Sequence, residues 1–286
     1  MESWQSLINL GGLAMTESGY SALAIAIERG VARVTIDYPP INLLDAKLIG
    51  ELNDAGQELE ENSDVRVVVL QSANPEFFVA HADLPTIQLL DAEILATFHQ
   101  IVDRFRTMRQ ATIAKIEGRC RGGGSELVLA CDMRFAAIGK GVLNQPEVGV
   151  GIIPGGGGST RLPRLVGRGR ALEIILGCAD FDAGLAERYG YINRALPAEE
   201  IGPFMDTLAN RIASFPAEAV AIAKEAVASN DEGLEGALAL ERELFLRTTQ
   251  TESAKKRMAA AMSLGLQTEA IETAGIEDLW ALLDER

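Results

Sequence analysis

Val65 to Leu70 is a short, nearly continuous valine and leucine run broken only by Arg66, the pattern of a strand covered on both faces. A chain built around it must supply apolar cover on two sides, and the flanking sequence does so. Leu44, Leu48, Leu52, Ala55 and Leu59 recur every three or four positions, as do Ile94, Phe98, Ile101, Phe105 and Met108. Each set predicts one apolar face of an amphipathic helix, the second over 91–109. His99 and Asp103 lie off that stripe, and His99 reads as a solvated helix residue. Val31 to Asp37 alternates and is β-branched, so it predicts a strand, which Pro39 and Pro40 end. Thr112 to Ile116 and Met133 to Ile138 predict further strands, with a buried helical turn or two from Ser125 to Cys131 between them. The fold class is α/β.

After Leu162 the texture shifts to alanine, leucine and glutamate, predicting helices at about 169–177, 182–189, 199–213, 216–229 and 231–247. We divide the chain into a tail over 1–20, an α/β core over 21–200 and a helical region over 201–286. No Gly/Ser-rich linker marks the second boundary, so the two parts are expected to pack together.

Charge and composition narrow the partners. The 286 residues carry 26 basic against 41 acidic groups, a formal charge of −15, which repels nucleic acid and anionic membrane. A phosphate-bearing small ligand remains admissible through local backbone amides. Cys120, Cys131 and Cys178 form no CxxC pair, and with only His81 and His99 present no zinc site or disulfide framework is suggested. No basic leader or run of about 20 apolar residues occurs, so a cytoplasmic location is expected.

Three segments place acidic residues beside glycines or a tight loop: Phe78 to Leu84, Gly122 to Glu126, and Gln145 to Gly158. A dinucleotide loop fails on spacing, because after Gly149-x-Gly151 the third glycine position is Pro154, and no Gly-Lys-Ser/Thr closes any cluster. Gly155 to Gly158 reads as a flexible turn. Gly122 to Gly124 differ, since they precede a helix whose positive end favours negative charge on a nearby oxygen. Glu126 sits in the first turn of that helix, where position alone leaves it open as a plain N-terminal acid.

Six segments in order resemble successive motifs of the enoyl-CoA hydratase/isomerase, or crotonase, superfamily over roughly residues 20–265. They are Val34 to Asn42, Val65 to Leu70, Ala80 to Leu84, Gly122 to Leu127, Gln145 to Glu147 and Ile153 to Arg164. The resemblance implies a spiral of ββα units with a helical C-terminal region, assembled as a homotrimer or a dimer of trimers (a hexamer). It implies oxyanion-hole amides at Ala82 and Gly123, catalytic carboxylates at Glu126 and Glu147, and substrate contacts from Ala80, His81, Asp83, Leu84, Gly122, Pro146 and Gly155. The implied enzyme is a lyase of fatty acid metabolism that hydrates the 2,3-double bond of an acyl-CoA. It takes no metal and no cofactor, coenzyme A entering as part of the substrate. Relatives that isomerise keep only the carboxylate at the Glu147 position, so Glu126 favours water addition. Isomerisation, thioester hydrolysis and C–C cleavage of a β-diketone without coenzyme A are the other superfamily reactions considered. A non-enzymatic scaffold or RNA binder fits neither the charge nor the intact glutamate pair.

The sequence departs from the pattern at three places. His81 stands where the family usually has glycine. Tyr38 and Pro85 occupy positions where many relatives carry Arg or Lys for the coenzyme A phosphates. Ala259 to Leu266 replaces the Phe- and Lys-bearing helix that commonly covers the adenine.

Overall fold

The computed structural model describes residues 19–88, 92–228, 231, 233–274, 279 and 283. The chain opens with an antiparallel pair, β1 (Leu23–Glu28) and β2 (Val31–Ile36), followed by helix α1 (Ala46–Glu61). Three ββα units then repeat. They are β3 (Val67–Ser72), β4 (Phe77–Val79) with α2 (Leu84–Gln88) and α3 (Ala92–Thr107); β5 (Ala111–Ile116), β6 (Arg119–Arg121) with α4 (Gly123–Ala130); and β7 (Met133–Ala137), β8 (Val142–Asn144), a 3-10 turn at Glu147–Val150 and α5 (Gly158–Val166). Beyond them come α6 (Arg168–Gly177), β9 (Phe181–Asp182), α7 (Ala183–Tyr189), β10 (Arg194–Leu196), α8 (Ala198–Ala213), α9 (Ala217–Ala228), α10 (Leu234–Thr249), α11 (Glu252–Ser263) and α12 (Glu269–Ala274).

The first strand of each unit joins a six-stranded sheet of order β1-β2-β3-β5-β7-β10, and the second joins a four-stranded sheet of order β4-β6-β8-β9. The chain therefore spirals, laying down one strand in each sheet per turn, and this is the ββα spiral expected. Strand β3 is covered on both faces, as its composition requires. Val68 and Leu70 pack with Leu48, Leu52 and Leu59 of α1, while Val67 and Val69 pack with Ile201, Met205 and Ala209 of α8. Helix α8 begins at the sequence boundary near 200 and lies directly on the large sheet.

Helix α1 starts where Asp45 accepts hydrogen bonds from the amides of Lys47 and Leu48, both at 3.0 Å, a cap contributing about 1 kcal/mol. Among the strands the sequence did not reveal, β4, β6, β8, β9 and β10 are two or three residues long, too short to show alternation, while β1 has six residues and pairs with β2 along its whole length. Of Gly155 to Gly158, read as a turn, Gly155 to Gly157 form one and Gly158 opens α5, which carries Pro163 in its interior. The N-terminal segment 1–18 lies outside the described residues.

Candidate active site

Strands β4, β6 and β8 are parallel neighbours, so their C-terminal ends lie side by side. The residues that follow them, His81 and Ala82, Gly122 and Gly123, and Pro146 and Glu147, meet at one edge of the small sheet and line one cavity of about 410 Å³. Asp83, Leu84, Glu126 and Gly155 line it too. The remaining wall is largely apolar, with Ile49, Ile87, Leu95, Phe98, Val150 and Phe245, and among the described residues no lysine or arginine lines it. A largely apolar cavity of this kind with a few converging polar groups is the form that small-molecule sites take. Ala80 is the exception among the expected contacts. It is fully buried with Ile41 and Phe77, and its amide donates to the Ile41 carbonyl at 3.2 Å, so it supports the wall from behind.

Backbone geometry aims two donors at this cavity. Leu44 bridges the segment at Ala82, its amide donating to the His81 carbonyl at 3.0 Å and its carbonyl accepting from the Asp83 amide at 3.1 Å. In an extended chain successive groups alternate sides, so the Ala82 N–H faces away from Leu44. Gly123 opens α4, where a helix's first amides lack intrahelical acceptors. Neither amide donates to an acceptor among the described residues. The two are adjacent, because a Cβ placed on Gly123 would lie 3.7 Å from the Ala82 nitrogen. Gly122 has φ +50, and a Cβ there would meet His81 Cβ at 3.2 Å and Glu147 Oε1 at 3.1 Å, so only glycine lets these groups converge. Two amides so placed can hold one carbonyl oxygen and stabilise charge developing on it.

Both carboxylates are buried. Glu126 Oε1 accepts from the amides of Gly156 at 2.6 Å and Gly158 at 2.9 Å. Burial pushes its pKa up, and those amides together with Arg161 oppose the rise. Glu147 has no such pair of amides. Burial, then the charge of neighbouring Glu126, pushes its carboxyl well above the usual range. With its amide nitrogen turned toward Glu147, Gln145 donates to both carboxyl oxygens at 3.1 and 3.2 Å and accepts from the Ser125 hydroxyl at 3.2 Å. Ser125 in turn meets the Tyr191 hydroxyl at 2.5 Å. The environments separate the two acids: Glu126 is favoured as a base and Glu147 as a proton donor.

His81 is buried at the cavity wall and belongs to a network that the sequence did not suggest. Its Nε2 lies 2.8 Å from Glu272 Oε1, and Arg121 bridges the other oxygen of Glu272 at 3.2 Å to Asp180 at 2.5 Å. Asp83 accepts from the amide and hydroxyl of Thr86 at 3.0 and 2.6 Å, which fixes the start of α2 behind Leu84. His99 corrects the reading of a solvated residue. It is buried, its Nε2 hydrogen-bonds the Gly155 carbonyl, and burial lowers its pKa to about 4, so it is a neutral donor that anchors the glycine loop. The off-stripe position faces α10 rather than water, which the periodicity of α3 could not show.

Glu241 of α10 also escaped the sequence reading, being one acid among several on a helix. It is 3% exposed and accepts from the Gly157 amide at 2.5 Å. Only the packing of α10 on α5 reveals it.

Comparison with known proteins agrees with this architecture. A family profile described as enoyl-CoA hydratase/isomerase matches residues 26–263. The short-chain-enoyl-CoA hydratase of Clostridium acetobutylicum is 34% identical over 239 residues, covering 82% of this chain and 91% of the relative. The crotonyl-CoA hydratase of Syntrophomonas wolfei is 32% identical over 250 residues, covering 84% and 95%. A crystal structure from Streptomyces avermitilis, described as a candidate enoyl-CoA hydratase, superposes with a TM-score of 0.86 at 38% identity, covering 94% of this chain and all of the other. The chain has the crotonase fold and belongs to the enoyl-CoA hydratase/isomerase family.

Proposed function

We propose that the protein is a lyase that adds water across the 2,3-double bond of an enoyl-CoA thioester. The thioester oxygen sits between the amides of Ala82 and Gly123, which polarise the conjugated system and stabilise the enolate. Glu126 and Glu147 hold one water on the opposite side. Glu126 takes a proton from it as the oxygen attacks C3, and protonated Glu147 delivers a proton to C2. Loss of one amide donor would remove about 3 kcal/mol of transition-state stabilisation. The observation carrying this reading is that two acceptor-free amides and two buried carboxylates line the same apolar cavity.

Coenzyme A is the proposed carrier, entering as part of the substrate, with its phosphates outside the cation-free cavity. No described helix is long and apolar enough to cross a membrane, which fits a substrate met in water. A homotrimer or dimer of trimers is the proposed assembly. Helix α9 supports it, since it is mostly apolar yet buries none of its residues, leaving Ile222 63% and Val227 75% exposed.

Incubation with crotonyl-CoA in ¹⁸O-labelled water tests the reaction. Loss of the enoyl absorbance with one ¹⁸O in a 3-hydroxyacyl product is expected. Intact enoyl-CoA, or release of free coenzyme A instead, would reject hydration in favour of another superfamily reaction.

A further inference from the structure

Three successive amides of the glycine loop are gripped from two directions. Those of Gly156 and Gly158 donate to Glu126, and that of Gly157 between them donates to Glu241 at 2.5 Å. The loop cannot slide toward either acid without losing a charge-assisted or buried hydrogen bond. Its other contacts are fixed as well: the Gly155 carbonyl accepts from His99, and the Gly156 carbonyl accepts from Arg161 at 3.0 Å. Glu241 itself does not line the cavity, and its second oxygen is buried without a hydrogen-bond partner among the described residues.

We infer that Glu241 is a positioning residue for the hydration proposed above, clamping the Gly155–Gly158 loop so that Glu126 stays aimed at the water. The role rests on that reaction and adds a third acid to it, one that acts through the loop without touching substrate.

The charges around Glu241 say in which form it works. Glu126 faces it from α4 and Arg161 from α5, Glu147 is close enough to feel its charge, and Arg242, next to it on α10, meets His99 of α3 at 3.4 Å. Asp103 is occupied by Arg106 at 2.7 Å and Arg161 at 2.9 Å, and His99 is neutral. Burial, then the charge on Glu126, raises the Glu241 pKa to about 8. Below that pH it is neutral and leaves the negative charge to Glu126. Its carbonyl oxygen still accepts from Gly157, so the clamp needs an acceptor there and not a charge.

The test compares Glu241→Gln, which keeps the acceptor and mimics the neutral acid, with Glu241→Ala, which removes it. At pH 7 the alanine variant is expected to lose at least tenfold in kcat with KM changed less than threefold, and the glutamine variant to recover kcat to within threefold of wild type. Carboxyl ¹³C resonances of glutamate-labelled protein read the same site without substrate. A carboxyl titrating near pH 8 should be present in the wild type and missing from Glu241→Gln. Unchanged kcat in folded Glu241→Ala, or a glutamine variant as impaired as the alanine one, overturns the inference. Failure of the wild type to hydrate any enoyl thioester would reject the reaction instead, and the resonance titration would still decide the ionisation of Glu241.

Discussion

His81 and Glu272 pair at 2.8 Å across 191 residues of sequence. The other ring nitrogen, Nδ1, lies 2.9 Å from the Ala82 carbonyl. Both nitrogens thus face oxygens that accept, which favours the imidazolium. Burial opposes the charge on His81, but Glu272 outweighs it and raises the pKa. Burial would push Glu272 up as well, yet the charge and hydrogen bond of His81, with the Gln267 amide and Arg121, bring it down to about 2. The pair fastens α12 to the cavity wall beside Ala82.

The stability it provides has a defined pH window. Glu272, lowered from 4.5 to about 2, contributes fully above about pH 4.5 and loses that contribution as pH falls toward 2. His81, raised from 6.5, contributes fully below 6.5 and loses it as pH rises through its folded value. Glu272→Gln should therefore destabilise by about 3 kcal/mol between pH 5 and 6.5, and the difference should shrink toward pH 2. Urea denaturation across pH measures this; a pH-independent difference would contradict it.

His81→Gly removes a side chain that touches the cavity beside Gly122. It should alter kcat/KM or the pH profile for crotonyl-CoA, since the Ala82 carbonyl loses its donor. Kinetics and pH dependence identical to wild type would show that His81 is only a structural tie.

Gly156 has no room for a methyl group, because a Cβ there would lie 2.5 Å from Glu126 Oε2 and 2.6 Å from the ring of Phe98. Gly156→Ala should push Glu126 aside and lower kcat at least tenfold, since small misplacements of a catalytic group are costly. Circular dichroism should show the fold retained. Unimpaired turnover would mean that the loop does not hold Glu126 in place.

The rate should be bell-shaped in pH. Glu126 must be ionised, and its pKa is raised above 4.5, so the ascending limb lies above that value. Glu147 must be protonated, so the rate falls as pH rises through its strongly raised pKa. Gln145→Leu removes donors that favour the ionised form of Glu147, so the descending limb should move to higher pH. A shift to lower pH would contradict the assigned orientation of Gln145.

Much of the fold was legible because β3, α1 and α3 each carry a full period of apolar residues. The strands of the small sheet were not, being two or three residues long and defined by neighbours distant in sequence. The cavity residues could be named because six segments in order resemble the family's successive motifs; the local pattern alone left Glu126 open as a plain helix N-terminal acid. Glu241 and Glu272 could not, since each looks like any surface acid until α10 and α12 fold back on the core. His99 failed for the same reason: the helical period of α3 identifies its main apolar face and is silent about a second face covered by a later helix.

The central claim is that Glu126 and Glu147 act on one water across from the amides of Ala82 and Gly123. Its most direct measurement is kcat for crotonyl-CoA hydration in Glu126→Gln, Glu147→Gln and the double variant. Residues serving one step as a unit are non-additive, so each single variant should lose at least about 10³-fold and the double variant little more than the worse single. Losses that multiply in the double variant, or a single variant retaining a tenth of wild-type activity, would contradict the account.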